Sequence, residues 1–201
     1  MKKLNKELFS NQHFLFVFDL DGTLLNSKKE IEPKTKELLQ ELVSLGNIVT
    51  LASGRPPRAV LPYYRHLGLT APLISYNGAL ISYDDGNEPL QAVGYTVKEI
   101  ADFFSHFPES SFKNVMIEDD DNLYYSGHDD AYDFFFHPEQ MNVHYGEIVP
   151  QLQNDAMAVV LENKDTSRNK EIEEFVLSHY QDIAIRFWYD APTFGEFYHY
   201  N

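Results

Sequence analysis

Apolar and polar residues alternate in blocks over residues 14–78, in a pattern typical of strands and helices that follow one another. The run from Phe14 to Phe18 has the length and composition of a fully buried strand. Pro33 suits the first turn of a helix whose apolar residues recur at helical spacing, and Gly46 suits its end. The predicted elements are a strand at 14–18, a helix at 33–45, a strand at 47–52, a helix at 57–66 and a strand at 72–75. This order predicts parallel strands joined by right-handed crossovers.

The pattern changes near residue 79. A turn over Asp84–Glu88 lies between two short apolar runs and predicts a hairpin. After it, the sequence predicts helices at 97–107, 129–136 and 167–179 and strands at 114–118, 122–126, 156–162, 183–189 and 195–200. Because this α+β order does not continue the strand–helix–strand units, we predict a domain boundary near residues 82–84.

Charge is distributed unevenly between these two parts. Residues 1–82 hold 10 Lys and Arg against 7 Asp and Glu, residues 83–201 hold 6 against 24, and the net charge is −15. The acidic part would repel nucleic acid and anionic membranes, whereas the mildly basic part could accept an anion.

The sequence contains no cysteine, which excludes a disulfide or a thiolate metal site. The N-terminal residues lack a long apolar stretch, which predicts a cytoplasmic protein with no signal peptide and no membrane span.

Polar residues follow each of the three predicted parallel strands. Asp19 and Asp21 come after the first strand, Ser53-Gly54-Arg55 after the second, and Asn77-Gly78 after the third. Because ligands bind at the carboxyl ends of strands in open α/β sheets, we expect these residues to meet at one edge. Carboxylates are costly in such a place unless a cation or a reaction uses them, so the edge is predicted to be an active site.

These residue types suit phosphoryl chemistry. Two aspartates spaced i, i+2 suit Mg²⁺, and a carboxylate can also attack phosphorus to give an aspartyl-phosphate. Gly22 and Thr23 supply a tight turn with backbone N–H groups for phosphate oxygens, Ser53 adds a hydroxyl donor, and Gly54 permits close approach to an anion. Simpler interpretations are a strand-end turn at the aspartates, a generic helix start after Ser53 and a hairpin turn at Asn77-Gly78.

The motifs resemble those of the haloacid dehalogenase superfamily of phosphohydrolases. Residues 19–25, Asp-Leu-Asp-Gly-Thr-Leu-Leu, match its first motif in full, and residues 51–56 and 76–79 are similar to segments of its Cof-type, type IIB subfamily. The resemblance implies an α/β fold with a Rossmann-like parallel-sheet core, of which residues 1–82 are the N-terminal part, and an α+β cap over residues 83–201. It also implies a magnesium-dependent phosphatase of small phosphate monoesters.

The same resemblance implies roles for individual residues. Asp19 would be the nucleophile and a metal ligand, and Asp21 the general acid/base, with its backbone carbonyl on the metal. Ser53 would bind the transferring phosphoryl group, and Arg55 and Asn77 would lie near the substrate. The full predicted phosphate- and substrate-binding set is Gly22, Thr23, Ser53, Gly54, Arg55, Asn77 and Gly78.

Two later motifs of the superfamily have no counterpart in the sequence. Lys164 and Lys170 fall inside the predicted cap rather than after it, and no Gly-Asp-x-x-Asn-Asp segment occurs. We therefore expect an N-terminal portion of such a protein, with little or no phosphatase activity alone. An unpaired edge of the incomplete core sheet also predicts self-association. The alternative functions are a phosphotransferase such as a phosphomutase, and a non-catalytic fold that binds only phosphate or a partner.

Overall fold

The computed structural model describes residues 12–129 and 132–200, except for the side chains of residues 134 and 135. The basic N-terminal residues used in the prediction of a cytoplasmic location lie outside the described residues. Two compact units divide between Ala92 and Val93. The first contains β1 (Leu15–Phe18), α1 (Pro33–Ser44), β2 (Ile48–Leu51), α2 (Pro57–Leu67), β3 (Leu73–Ser75), β4 (Leu80–Ser82) and β5 (Gln91–Ala92).

The second unit contains three helices and six strands among its described residues. Its elements are α3 (Val97–His106), β6 (Asn114–Glu118), β7 (Asn122–Tyr125), α4 (Asp133–Phe136), β8 (Asn142–Tyr145), β9 (Ala158–Glu162), α5 (Asn169–His179), β10 (Ile183–Phe187) and β11 (Phe194–His199). No helix in the described part of the chain is both long and apolar enough to cross a membrane.

The first unit is built on parallel strands, as the sequence predicts. In β1 and β2, Leu15 lies opposite Ile48 and the strands run in the same direction. An isolated parallel bridge between Ala52 and Ile74 places β3 beside the end of β2. Helices α1 and α2 pack onto this layer, and their buried residues form one core with those of the strands. The carboxyl ends of β1, β2 and β3 therefore lie along one edge.

The prediction that the first strand is fully buried is wrong. Leu15 and Val17 are 64% and 47% exposed, and Ile48 on the neighbouring strand is 52% exposed. Phe16 and Phe18 instead pack, partly buried, against the core of the unit. Alternate residues of a strand face opposite sides, so a helical layer on one side covers only half of the apolar run.

The unit boundary lies about ten residues beyond the predicted one. The predicted boundary near residues 82–84 divides the hairpin over residues 80–92, but β4 pairs antiparallel with β3, with Leu73 opposite Ser82. β5 then pairs with β4, with Leu80 opposite Ala92. These backbone hydrogen bonds attach the hairpin to the first unit and move the boundary to Ala92–Val93.

The second unit has a six-stranded sheet in the order β10-β11-β9-β6-β7-β8. Its neighbouring strands are antiparallel except for β7 and β8, which are parallel. Helices α3 and α5 contribute to one apolar core with the sheet, which includes Ile100, Phe103 and Ile172. Thr96 and Glu99 form a reciprocal capping box that begins α3. The α+β arrangement predicted for this part of the chain is confirmed, with β8 as an additional edge strand.

Candidate active site

The two aspartates follow β1 in a tight loop whose backbone requires glycine. Asp21 (φ −78°, ψ 118°) and Gly22 (φ 77°, ψ 0°) have the dihedral angles of the central residues of a type II turn. Glycine adopts the positive φ of the second position without steric cost. Leu20, between the aspartates, is fully buried, and the Leu25 N–H donates to its carbonyl oxygen at 2.9 Å. The loop thus anchors one apolar side chain and leaves the carboxylates on either side of it exposed.

The Asp19 carboxylate is oriented by the turn that follows it. The Thr23 hydroxyl, Oγ1, donates a hydrogen bond to Asp19 Oδ2 at 3.0 Å. This bond uses Oδ2, so the other carboxylate oxygen of Asp19, Oδ1, is the one that can contact a ligand or react. The predicted phosphate-binding residue Thr23 therefore has a further contact, with the predicted nucleophile.

Asp21 lies between two cations. Arg55 donates from Nε to Oδ2 at 2.7 Å and from Nη2 to Oδ1 at 2.8 Å, and Lys29 Nζ donates to Oδ1 at 2.7 Å. Partial burial disfavours the charged carboxylate, but the hydrogen bonds and charges of Arg55 and Lys29 outweigh it and hold the pKa of Asp21 below its ordinary value of 3.8. Asp21 is therefore ionised at neutral pH in this arrangement.

Lys29 and Tyr63 contribute to the site without having been predicted. Lys29 has a positive φ of 59°, in a loop closed by the antiparallel bridge between Leu25 and Ile31. The Tyr63 hydroxyl donates to the Lys29 carbonyl oxygen at 3.0 Å, and its ring centroid lies 5.9 Å from the Arg55 guanidinium carbon. Neither residue belongs to a recognisable motif, because a lysine in a polar loop and a tyrosine on a helix are common on any surface.

Ser53 connects the second strand end to the start of α2. Its side chain is buried, and its hydroxyl oxygen accepts a hydrogen bond from the Arg55 backbone N–H at 3.2 Å. The Ser53 N–H donates to the Ile74 carbonyl oxygen at 3.0 Å. Because the hydroxyl oxygen accepts from Arg55, this bond does not use the hydroxyl hydrogen, which is the atom that a phosphate oxygen would need.

Positive φ angles follow the third strand at three consecutive residues. Tyr76, Asn77 and Gly78 have φ values of 48°, 55° and 102°. The Asn77 N–H donates to the Ser53 carbonyl oxygen at 3.1 Å, which joins the third strand end to the second. A Cβ on Gly54 would lie 2.9 Å from Asn77 Oδ1, so glycine at position 54 is what allows the Asn77 side chain to come so close. The segment is also the turn that leads from β3 to β4, so the hairpin and site interpretations of Asn77-Gly78 are compatible.

The oxygen donors near Asp19 fit Mg²⁺. This ion takes oxygen ligands, keeps several waters and is commonly held by one or two carboxylates. Asp19 offers an exposed carboxylate, and the following turn contains the Asp21 backbone carbonyl. Both oxygens of the Asp21 side chain already accept hydrogen bonds from cations. In this arrangement Asp21 would therefore hold a metal through its backbone rather than its side chain.

Comparison with known proteins identifies the family. The family model of haloacid dehalogenase-like hydrolases matches residues 16–201, and the chain belongs to this family. A 5-amino-6-(5-phospho-D-ribitylamino)uracil phosphatase of Bacillus subtilis, YitU, is 31% identical over 156 residues, which are 76% of this chain and 57% of that protein. The chain thus spans little more than half the length of this relative.

Solved structures share the fold. The TM0651 protein of Thermotoga maritima superposes with a TM-score of 0.75 at 22% identity, over 94% of this chain and 70% of that one. A sugar phosphatase of subclass IIB, BT4131, gives a TM-score of 0.66 at 21% identity, again over 94% of this chain and 70% of that one. The prediction of the haloacid dehalogenase fold of type IIB is confirmed.

Proposed function

We propose that this chain carries the nucleophile side of a magnesium-dependent phosphatase site that acts on small phosphate monoesters. The observation that carries the proposal is the exposed Asp19 carboxylate at the end of a parallel strand, next to an Asp21 held ionised by Arg55 and Lys29. Membership of a hydrolase family and a relative named as a phosphatase support the class of reaction. Phosphatases of this family are in general metal-dependent, which supports Mg²⁺ as the cofactor.

In the proposed reaction, Asp19 acts as a covalent nucleophile. One of its carboxylate oxygens attacks the phosphorus of the monoester, the bond from phosphorus to the ester oxygen breaks, and the departing alkoxide takes a proton from a general acid. Water then attacks the phosphorus of the phosphorylated Asp19 while a base accepts its proton. Inorganic phosphate leaves and the Asp19 carboxylate is restored. Mg²⁺ held by Asp19 and the Asp21 carbonyl would offset the negative charge of the phosphate.

Asp21 is better prepared for the second step than for the first. An ionised carboxylate can accept the proton of the attacking water, but it cannot protonate a leaving group. Guanidinium groups bind phosphate bidentately, as Arg55 now binds Asp21. We therefore infer that a bound phosphate competes with Asp21 for Arg55, and that this exchange raises the pKa of Asp21 at the moment when an acid is needed.

The second unit corresponds, on this proposal, to the cap of type IIB phosphatases. Substrate choice would then depend on residues 93–201. The Bacillus subtilis relative is named for a phosphorylated ribitylamino compound, and a sugar phosphatase shares the fold. Phosphate esters of sugars and polyols are therefore the first compounds to test.

Binding of a phosphoryl analogue tests the site independently of turnover. Calorimetry with beryllium fluoride and Mg²⁺ should show one binding event for the unaltered chain and none for Asp19→Asn, because the analogue needs the carboxylate as its partner. Asp84→Asn is the matched control, since Asp84 is an aspartate of the same unit that pairs with Arg65 at 2.7 Å. Equal binding by the unaltered chain and Asp19→Asn would contradict the proposal.

Hydrolysis of p-nitrophenyl phosphate is a second measurement. The sequence predicts little turnover, because the lysine and acidic metal ligands of the later motifs have no counterpart in it. Rates typical of the family that disappear in Asp19→Asn would support the phosphatase assignment and contradict the prediction of low activity. Activity that persists in Asp19→Asn would have another source.

Self-association is also part of the proposal. Leu15 and Val17 of β1 are exposed beside Ile48 of β2. An exposed apolar face of this kind favours contact between molecules. Light scattering over a concentration series should show oligomers, and Leu15→Lys with Val17→Lys should reduce them. A clean monomer at high concentration would contradict this expectation.

A further inference from the structure

A cluster of one carboxylate and two imidazoles lies on the surface of the second unit, apart from the proposed phosphatase residues. Asp102 and His106 occupy positions i and i+4 of α3 and therefore share one face of the helix. His179 comes from the last turn of α5. One ligand atom from each of the three side chains lies within 4.8 Å of the other two.

The distances within the cluster are compatible with a metal ion bound between the side chains. His179 Nε2 lies 3.1 Å from Asp102 Oδ2. Two ligands of a tetrahedral zinc ion, each at about 2.0–2.1 Å, are about 3.3 Å apart. The third ligand, His106, has an exposed side chain, and those of Asp102 and His179 are 40% and 43% exposed, so none of the three is enclosed by packing.

Neighbouring groups orient the side chains of the cluster. His106 Nδ1 lies 3.0 Å from the Asp102 backbone carbonyl oxygen, which can only accept, so the bond places the hydrogen on Nδ1 and leaves the lone pair on Nε2. The Tyr180 hydroxyl donates to Asp102 Oδ2 at 2.8 Å. The ring of Phe175 lies against both imidazoles, with centroids 4.8 Å from His106 and 4.7 Å from His179.

The electrostatics of the backbone favour a cation at this place. His106 and His179 are each in the last turn of a helix, where unpaired carbonyl groups give a partial negative charge. The Asp102 carboxylate lies at the same place, 3.1 Å from His179 Nε2, and adds a charged oxygen ligand. Two helix ends and one carboxylate thus meet at the same point.

We propose that Asp102, His106 and His179 form a binding site for a divalent transition metal of the zinc class, which links α3 to α5. Two imidazoles and one carboxylate are ligands that Zn²⁺, Co²⁺ and Ni²⁺ prefer, whereas Mg²⁺ prefers oxygen alone. Three protein ligands leave one tetrahedral position for water. The site differs from the Asp19 region in both ligand chemistry and metal.

Zinc titration in excess Mg²⁺ tests the proposal. The Mg²⁺ occupies the oxygen donors near Asp19, and calorimetry should then show one zinc ion per chain. Loss of a residue that only hydrogen-bonds to a metal ligand weakens metal binding by roughly 10- to 100-fold. His106→Gln and His179→Gln each remove a ligand, so each should weaken zinc binding by more than this. His66→Gln, which alters an exposed histidine of α2, is the matched control and should bind zinc as the unaltered chain does.

Cobalt substitution and two further variants separate ligation from folding. Co²⁺ should give the visible absorption of a tetrahedral site in the unaltered chain and lose it in His179→Gln and in Asp102→Asn. Tyr180→Phe should keep the absorption but weaken binding by about 10-fold, because it removes only an outer hydrogen bond. Circular dichroism of the metal-free variants establishes that each is folded.

Three results would overturn the proposal. The first is no zinc binding by the unaltered chain. The second is unchanged zinc binding by a folded Asp102→Asn, His106→Gln or His179→Gln. The third is a loss in His66→Gln as large as the loss in the cluster variants.

Discussion

Asp21 in the first unit and Asp102 in the second are both carboxylates with a lowered pKa, but their partners differ in kind. Asp21 is held by Arg55 and Lys29 against the opposing effect of partial burial. Asp102 accepts a hydrogen bond from Tyr180 and another from His179. Arginine and lysine keep their charge throughout the neutral range, whereas a histidine can release its proton and offer a lone pair. The first carboxylate is thus paired with groups that stay charged throughout the neutral range, and one partner of the second is an imidazole that could bind a metal.

The backbones that carry these carboxylates differ as well. Asp21 lies in a turn that depends on Gly22, and the Asn77 side chain comes close to residue 54 because this residue has no side chain. Asp102 lies within a regular helix begun by a capping box. Substitutions that disturb loop geometry should therefore affect the first site and leave the second intact.

Gly54→Ala should have the largest effect. The added Cβ would lie 2.9 Å from Asn77 Oδ1, so the Asn77 side chain must move. We expect a loss of about 1–3 kcal/mol in the free energy of unfolding, as for other overpacked positions, and weaker binding of beryllium fluoride. Urea unfolding and calorimetry measure the two effects, and zinc affinity should not change. Gly127→Ala is the control, because the nearest atom to its Cβ is 4.0 Å away; equal stability losses would refute the explanation.

Arg55→Met should have a smaller effect that depends on pH. The folded-state pKa of Asp21 lies below 3.8, so its ionised form stabilises the folded state above pH 3.8, and this contribution is lost as the pH falls through the folded-state pKa. Because Asp21 is 39% exposed, solvent screening limits the contribution to about 1 kcal/mol or less. Denaturation at several pH values should show a variant less stable than the original at pH 7, with a gap that narrows at acidic pH. A gap that is constant with pH would mean that Arg55 acts through packing instead.

Lys29→Met should have the smallest effect. Lys29 makes one hydrogen bond to Asp21 from a side chain that is 44% exposed, whereas Arg55 makes two from one that is 18% exposed. We expect a loss of about 0.2–0.5 kcal/mol at neutral pH, measured by urea unfolding in low salt. High salt should reduce it further. A loss larger than that of Arg55→Met would reverse the ranking of the two cations.

The sequence predicts the first unit well where a single residue type, such as proline or glycine, marks the end of a helix. Pro33 begins α1 and Gly46, with a positive φ of 82°, follows its end, as their backbone preferences suggest, and the three strand ends meet as expected. The burial of β1 could not be predicted, because an apolar run does not reveal whether one face or both are covered. The hairpin of β4 and β5 was recognised, and its attachment to β3 follows from the turn at Asn77-Gly78, for which the sequence left the hairpin and site interpretations open.

Contacts between residues far apart in the sequence also limit how much of the two sites can be predicted from the sequence. The motif around Asp19 indicates the proposed nucleophile, but the pairing of Asp21 with Lys29 depends on a loop that returns to the turn. The cluster of Asp102, His106 and His179 joins residues more than seventy positions apart. Spacing along the chain does not reveal this cluster, since only Asp102 and His106 share a helix. Strand β8 was missed for a similar reason, because its partner β7 precedes it by a long connection.

The buried side chain of Leu20 couples movement of the Asp19 loop to local opening of the fold. Freeing the two flanking carboxylates would draw Leu20 into water, at a cost of about 1.5–3 kcal/mol. Such openings would occur in only about 1–10% of molecules or fewer. The Leu25 amide, which donates to the Leu20 carbonyl oxygen, breaks its hydrogen bond in the same event. Its hydrogen-exchange rate would therefore report how often the reactive loop leaves the fold.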